Sequence, residues 1–198
     1  ARLRMAAGEV VYVEPSSIAT IKGPVEVSAS LGGNGVMSSV IRRVADQTTF
    51  MTCLRVRQGA AEVTIAPPHF GDLAVLNLDK TGPLMAVSGS LLAYEQGVEV
   101  NTRVAAVRKL VLGSSAAVIK IEGSGKAILA ALGAVEPVEV PPGQSFIVDS
   151  GHLIAWSADA NMDLGPLKSV VSSAFTGEGL VGQFEGPCTV LVQTRQME

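Results

Sequence analysis

Asp149-Ser150-Gly151-His152 puts a carboxylate, a hydroxyl and an imidazole within four residues. That grouping invites a hydrolase, in which His152 draws the proton from Ser150 and Asp149 orients the ring. Such a triad works only when the three groups converge in space, whatever their order in the chain. Residues 149 and 152 flank a predicted turn, so Asp149 and His152 are expected to hydrogen-bond that turn or each other. The hydrolase using His152 is kept as a remote alternative, and no catalytic residue is assigned. Metal chemistry has less to work with. His69 and His152 are the two histidines, 83 residues apart and without clustered carboxylates, which makes a poor zinc or iron site. No metal or cofactor is expected.

Gly32-Gly33-Asn34-Gly35, ahead of a helix-like run, resembles a phosphate cradle. It lacks the Lys-Ser/Thr of a P-loop and the Rossmann spacing, and reads as a Gly-rich surface turn. Arg42, Arg43, Arg55 and Arg57 form a basic concentration. Nucleic-acid binding needs phosphate-neutralising charge and stacking aromatics. With aromatics at 4% and a net charge of −3, nucleic acid is disfavoured, and the arginines read as a solvated face or a subunit contact. Cys53 and Cys188, 135 residues apart in apolar runs, read as two buried thiols.

Hydrophobic residues make up 47% of the 198-residue chain and charged ones 17%, with mean hydropathy +0.38, which excludes disorder. No run approaches the ~20 apolar residues of a membrane-spanning helix. The longest, Ala127 to Val135, is nine residues and meets Glu136-Pro137. Residue 1 is Ala and the chain begins inside an expected strand, Leu3 to Met5, so a trimmed N-terminus is expected. The expected location is cytoplasmic and peripheral to a membrane, or mitochondrial where a targeting segment has been removed.

The elements that must hold these side chains come in threes. Val13 to Thr20, Ala86 to Tyr94 and Val148 to Trp156 read as versions of one another, with Ser16, Gly89 and Gly151 equivalent and spaced 73 and 62 residues apart. Each repeat opens with a Gly turn and a strand: Gly8 to Val13, Gly82 to Val87, Gly143 to Val148. A second strand follows the shared stretch. A third begins near Val25-Glu26-Val27 and Val98-Glu99-Val100, with a weaker counterpart at Asn161-Met162-Asp163. A short helix is predicted next in each repeat, over Val36 to Ala45, Val104 to Leu112 and Leu167 to Phe175. In the first, Arg42 and Arg43 back an apolar stripe suited to the β-core or a neighbouring subunit rather than a membrane surface. A hairpin is predicted to close each repeat: Phe50 to Val56 with Glu62 to Ala66, Val118 to Glu122 with Ala127 to Ala131, and Leu180 to Glu185 with Thr189 to Gln193. The expectation is all-β, about six strands per repeat, in one compact domain of three units, about 1–67, 68–133 and 134–198.

Residues 1–67 carry seven Lys/Arg and five Asp/Glu, a balance of +2; residues 68–133 stand at +1 and residues 134–198 at −6. In a head-to-tail assembly the acidic third unit would meet the basic first unit of the next chain, an attractive and salt-sensitive contact.

Particular motifs carry a family resemblance. Val148-Asp149-Ser150-Gly151-His152-Leu153-Ile154-Ala155 is followed by Leu167-Lys168-Ser169, Thr176-Gly177-Glu178-Gly179-Leu180-Val181 and Gly186-Pro187-Cys188 to Arg195. Upstream stand Leu31 to Gly35, Ala66-Pro67-Pro68 and Gly71-Asp72. Over almost its whole length the chain resembles the family named for altered inheritance of mitochondria, known in bacteria as a domain of unknown function. The resemblance implies a fold similar to the tryptophan RNA-binding attenuation protein, a short double-stranded β-helix present in triplicate. It also implies a homotrimer whose nine units form a ring and, from a fungal member of the mitochondrial inner membrane, a role in membrane organisation. It carries over no catalytic residue. Gly177-Glu178-Gly179 has Gly113-Ser114-Ser115 and Asp46-Gln47-Thr48 as its counterparts, so the repeats do not share one polar site. The expected function is a non-enzymatic scaffold or interaction protein, self-associating and working with membrane-associated protein partners. The alternative is a small-molecule module with its ligand between repeats. Asp149, His152, Lys168, Glu178, Arg42 and Arg43 are the interaction candidates.

Overall fold

A computed structural model describes residues 1–31, 50–101, 118–165 and 181–196. Eighteen strands run through them. The first six are β1 (Arg2–Ala6), β2 (Val10–Val13), β3 (Ile18–Lys22), β4 (Val25–Leu31), β5 (Phe50–Val56) and β6 (Ala60–Ile65). The next are β7 (Leu73–Asn77), β8 (Leu84–Val87), β9 (Leu91–Glu95), β10 (Val98–Asn101), β11 (Val118–Gly123) and β12 (Lys126–Ala130). The last are β13 (Val135–Val140), β14 (Ser145–Asp149), β15 (Leu153–Ser157), β16 (Asn161–Gly165), β17 (Val181–Glu185) and β18 (Cys188–Gln193). The sequence supplies the reason strand by strand. In β6, Ala61, Val63 and Ile65 alternate with polar residues and are the three that are buried. A single 3-10 turn, at Pro15–Ser17, Ser88–Ser90 and Ser150–His152, separates the second strand of each set of six from the third. The weakly patterned Asn161 segment is a full strand, because pairing along β17 holds it.

The pairing plan of the first set recurs in the other two. β5 lies between β2 and β4, and β6 between β1 and β3. β11 and β12, then β17 and β18, take the same central places. The expected closing hairpins do not form. Consecutive strands such as β5 and β6 go to different sheets, because β5 already has a neighbour on both edges and leaves none for β6. The turn between β11 and β12 makes that crossing tightly. At Gly123, φ is +99°, and a Cβ would lie 2.4 Å from the Gly97 carbonyl oxygen, so only glycine fits.

Two further pairings, β2 with β9 and β8 with β15, join the sets. The result is four sheets: β1-β6-β3, β4-β5-β2-β9-β12-β7, β10-β11-β8-β15-β18-β13 and β14-β17-β16. Three apolar clusters occupy the spaces between successive sheets. Val63, Ile65, Leu54 and Val13 centre the first, Ile119, Ile121, Leu129 and Ile154 the second, and Phe184, Val190 and Trp156 the third. Burying one such side chain contributes roughly 1.5–3 kcal/mol.

The α-helix among the described residues, α1 (Leu78–Thr81), is one turn between β7 and β8, with the Asn77 side chain accepting from the Asp79 N–H at 3.0 Å. The helices expected over Val36 to Ala45, Val104 to Leu112 and Leu167 to Phe175 lie outside the described residues. No helix among the described residues is long and apolar enough to cross a membrane.

Candidate functional site

The 3-10 turn Ser150–His152 links β14 to β15, and its polar groups are taken up locally. The Gly151 N–H donates to the Asp149 carboxylate at 2.8 Å. His152 Nδ1 donates to the Gln193 carbonyl at 2.7 Å, while the Gln193 side chain donates to the Gly151 carbonyl and accepts from the Leu132 N–H, both at 2.9 Å. Ser150 is buried. Asp149 and His152 therefore bond the turn and its neighbour β18 rather than each other. A base oriented by a carboxylate is missing from this arrangement, and the imidazole does structural work. Gln193 is the residue that sequence reasoning passed over. Its only signal is its place at the end of β18, opposite the turn.

The other candidates are dispersed. Arg42, Arg43, Lys168 and Glu178 lie outside the described residues, as does Gly32-Gly33-Asn34-Gly35. Arg57 pairs with Glu26 on the exposed edge of β4, and Arg55 is exposed. Cys188 is buried and Cys53 half-buried, and both are free thiols, so the expectation of two buried thiols holds for Cys188 alone. Burial pushes the Cys188 thiol up, with Asp159 and Glu139 adding to the shift. Among the described residues, no group of three or more His, Cys, Asp or Glu could hold a metal ion.

Larger concavities sit where the sets join. One cleft, of about 730 Å3, is lined by Thr81, Gly82 and Pro83 ahead of β8 and faced by Ser157, Ala158 and Thr189. Another, of about 670 Å3, has Gly8, Glu9 and Val10 facing Glu95, Gln96 and Lys126. These are equivalent positions of the two joints. In both, polar bonds tie β9 to β12 or β15 to β18 across the floor. The Lys126 N–H donates to the Glu95 carboxylate at 2.8 Å, and the Thr189 N–H to Ser157 Oγ at 3.1 Å. Beside the first joint Tyr12 stacks on Tyr94 at 5.0 Å, and burial pushes the Tyr94 hydroxyl up to about 12.

The family model described as mitochondrial biogenesis AIM24 matches residues 1–195. The chain belongs to the AIM24 family. One relative of this AIM24-family chain is an uncharacterised protein of Streptococcus pyogenes serotype M6, 21% identical over 198 residues, covering 96% of this chain and 79% of the relative. A Streptococcus pyogenes protein of known crystal structure shares the fold, with a TM-score of 0.75 and 22% identity over 98% of this chain and 88% of that one.

Proposed function

We propose that this AIM24-family chain is a non-enzymatic scaffold that associates with itself head to tail into a closed ring. In this reading residues 1–67, 68–133 and 134–198 are three tandem double-stranded β-helix units of one domain. The ring is a homotrimer, as the family resemblance implies, and it works at a membrane surface with protein partners, in keeping with the biogenesis role in the family's description.

One observation carries the self-association. β2 and β8 pair with the third strand of the following set. Among the described residues, their counterpart β14 is an open edge of the sheet β14-β17-β16, and β3, the counterpart of β9 and β15, is an open edge of β1-β6-β3. An open edge is a row of unpaired backbone groups that another chain can take up. The two three-stranded sheets thus carry at their edges the two halves of a joint that the chain makes twice within itself. Sedimentation velocity tests this. At low salt the expected species has three times the chain mass of 20.4 kDa, and a monomer there overturns the reading. Flotation with liposomes tests the membrane link, and absence from the lipid fraction at physiological salt counts against it.

A second reading, a small-molecule module with its ligand between units, draws on the clefts at both internal joints. Native mass spectrometry separates the two, since a stoichiometric bound compound favours the module. A hydrolase using His152 ranks last, given the bonds that occupy the turn.

A further inference from the structure

Counting from the 3-10 turns gives the three sets a common frame. Tyr12, Met85 and Ile147 each stand three residues before their turn begins, and Ile21, Tyr94 and Trp156 each stand six residues after that start. Tyr12 lies opposite Tyr94 at the first joint and Met85 opposite Trp156 at the second. Their cover accompanies that pairing: Tyr94 is 4% exposed, Met85 8% and Trp156 3%, and Tyr12 is half-buried against the second apolar cluster. Ile147 and Ile21, at the same two positions on the open edges, are 44% and 42% exposed. Each is an apolar side chain standing where its counterparts are covered by the adjoining set.

The clefts repeat the contrast. Arg4, Lys22, Gly23 and Glu62 line a smaller hollow of about 520 Å3 beside β3. Lys22, Gly23 and Glu62 hold the positions of Glu95, Gln96 and Lys126 at the first joint and of Ser157, Ala158 and Thr189 at the second. The facing wall is Gly8 to Val10 in one internal cleft and Thr81 to Pro83 in the other. Its counterpart is Gly143-Gln144-Ser145, which is exposed and belongs to the opposite end of the chain.

We infer that β14 of one molecule pairs antiparallel with β3 of the next in the register Phe146 opposite Lys22, Ile147 opposite Ile21 and Val148 opposite Thr20. Gly143, Gln144 and Ser145 of the first molecule then form the missing wall of the hollow on the second. The hollow is half of a composite cleft that a single chain cannot complete. The Asp149 N–H donates to the Ala19 carbonyl of the neighbouring molecule, as the Glu14 N–H does to the Leu92 carbonyl within the chain. This inference rests on the self-association proposed above and adds its register and the residues that each molecule supplies.

Paired cysteines test the register separately from the assembly. Directly opposed residues have Cβ atoms about 4.5–5.5 Å apart and diagonal ones about 7–8 Å, and a disulfide needs the closer spacing. The variant carrying Lys22→Cys and Phe146→Cys is oxidised beside one carrying Thr20→Cys and Phe146→Cys, with the unsubstituted chain as the background for Cys53 and Cys188. The expected result is covalent multimers from the first variant, at least tenfold above the second, with both sedimenting as the parent does. Slowed amide exchange across residues 18–23 and 143–149 in the assembled protein is the second expected readout. An assembled protein in which the offset pair cross-links instead, or in which these two segments exchange freely, overturns the register and leaves self-association standing. A protein that is monomeric at low salt overturns both.

Discussion

Ser17 and Ser90 each turn a hydroxyl back to the carbonyl three residues earlier, that of Glu14 and that of Val87, both at 2.7 Å. His152 holds the same place in the third set, but its ring reaches Gln193 instead. The position asks for a group that closes the turn, and a hydroxyl or an imidazole meets that need. His152→Ala should therefore cost about 1 kcal/mol by denaturant unfolding, the net value of one hydrogen bond, and His152→Ser should recover at least half of it. Equal losses in the two variants would remove the argument. Tyr94 offers a second check at this scale. Its folded value of about 12 exceeds the ordinary value of about 10 that the unfolded chain has. Above pH 10 the unfolded state releases this proton more readily, so the stabilisation is complete below pH 10 and is lost as pH rises toward 12. The loss is on the order of 2–3 kcal/mol. Absorbance at 295 nm should resolve one tyrosine that ionises only near pH 12, and complete ionisation of both by pH 11 would contradict it.

Among the elements, β17 carries more than its length suggests. It is the centre of the three-stranded sheet β14-β17-β16, and it presents Phe184, fully buried, edge-on to Trp156 of β15 at 6.0 Å. That contact ties the last sheet to the third. Phe184→Ala should cost about 3–5 kcal/mol, the range for a large buried aromatic that leaves a cavity. Chemical denaturation followed by the single tryptophan, Trp156, reads it directly. A cost under 1 kcal/mol would mean that the last sheet docks by other contacts. β3 and β14 illustrate the converse. Their patterns resemble those of β9 and β8, yet Ile21 and Ile147 are exposed, because among the described residues β3 has a neighbour only in β6 and β14 only in β17.

At the scale of the molecule, charge is graded along the chain, from +2 over residues 1–67 to −6 over residues 134–198. The proposed head-to-tail ring brings these together, so its assembly should be faster and tighter at low ionic strength. At about 0.1 M salt the screening length is about 10 Å, and at 1 M about 3 Å. Sedimentation across that range should show the assembled fraction falling as salt rises. An assembled fraction that grows with salt would mean that apolar contacts such as Ile21 against Ile147 outweigh the charge gradient.

The all-β character and most of the strands were legible because each depends on local pattern: alternation in β6, a Gly turn ahead of β14, the shared stretch around Gly151; β7, β13 and the turn α1 carried no such pattern and were not read from the sequence. What stayed illegible was which strands are neighbours. Phe50 to Val56 and Ala60 to Ile65 look like a hairpin in sequence, since a short breaker separates two strands, but neighbours in a sheet are chosen by which edges remain free. The fate of Asp149 and His152 was decided in the same way. The sequence by itself established that a turn lies there, whereas Gln193, some forty residues on, claims the ring only once β15 and β18 are side by side. Local chemistry determined the elements of this chain. Long-range pairing, which no window of sequence contains, decided that β2 lies beside β9 and β8 beside β15, while among the described residues β3 and β14 are left at sheet edges.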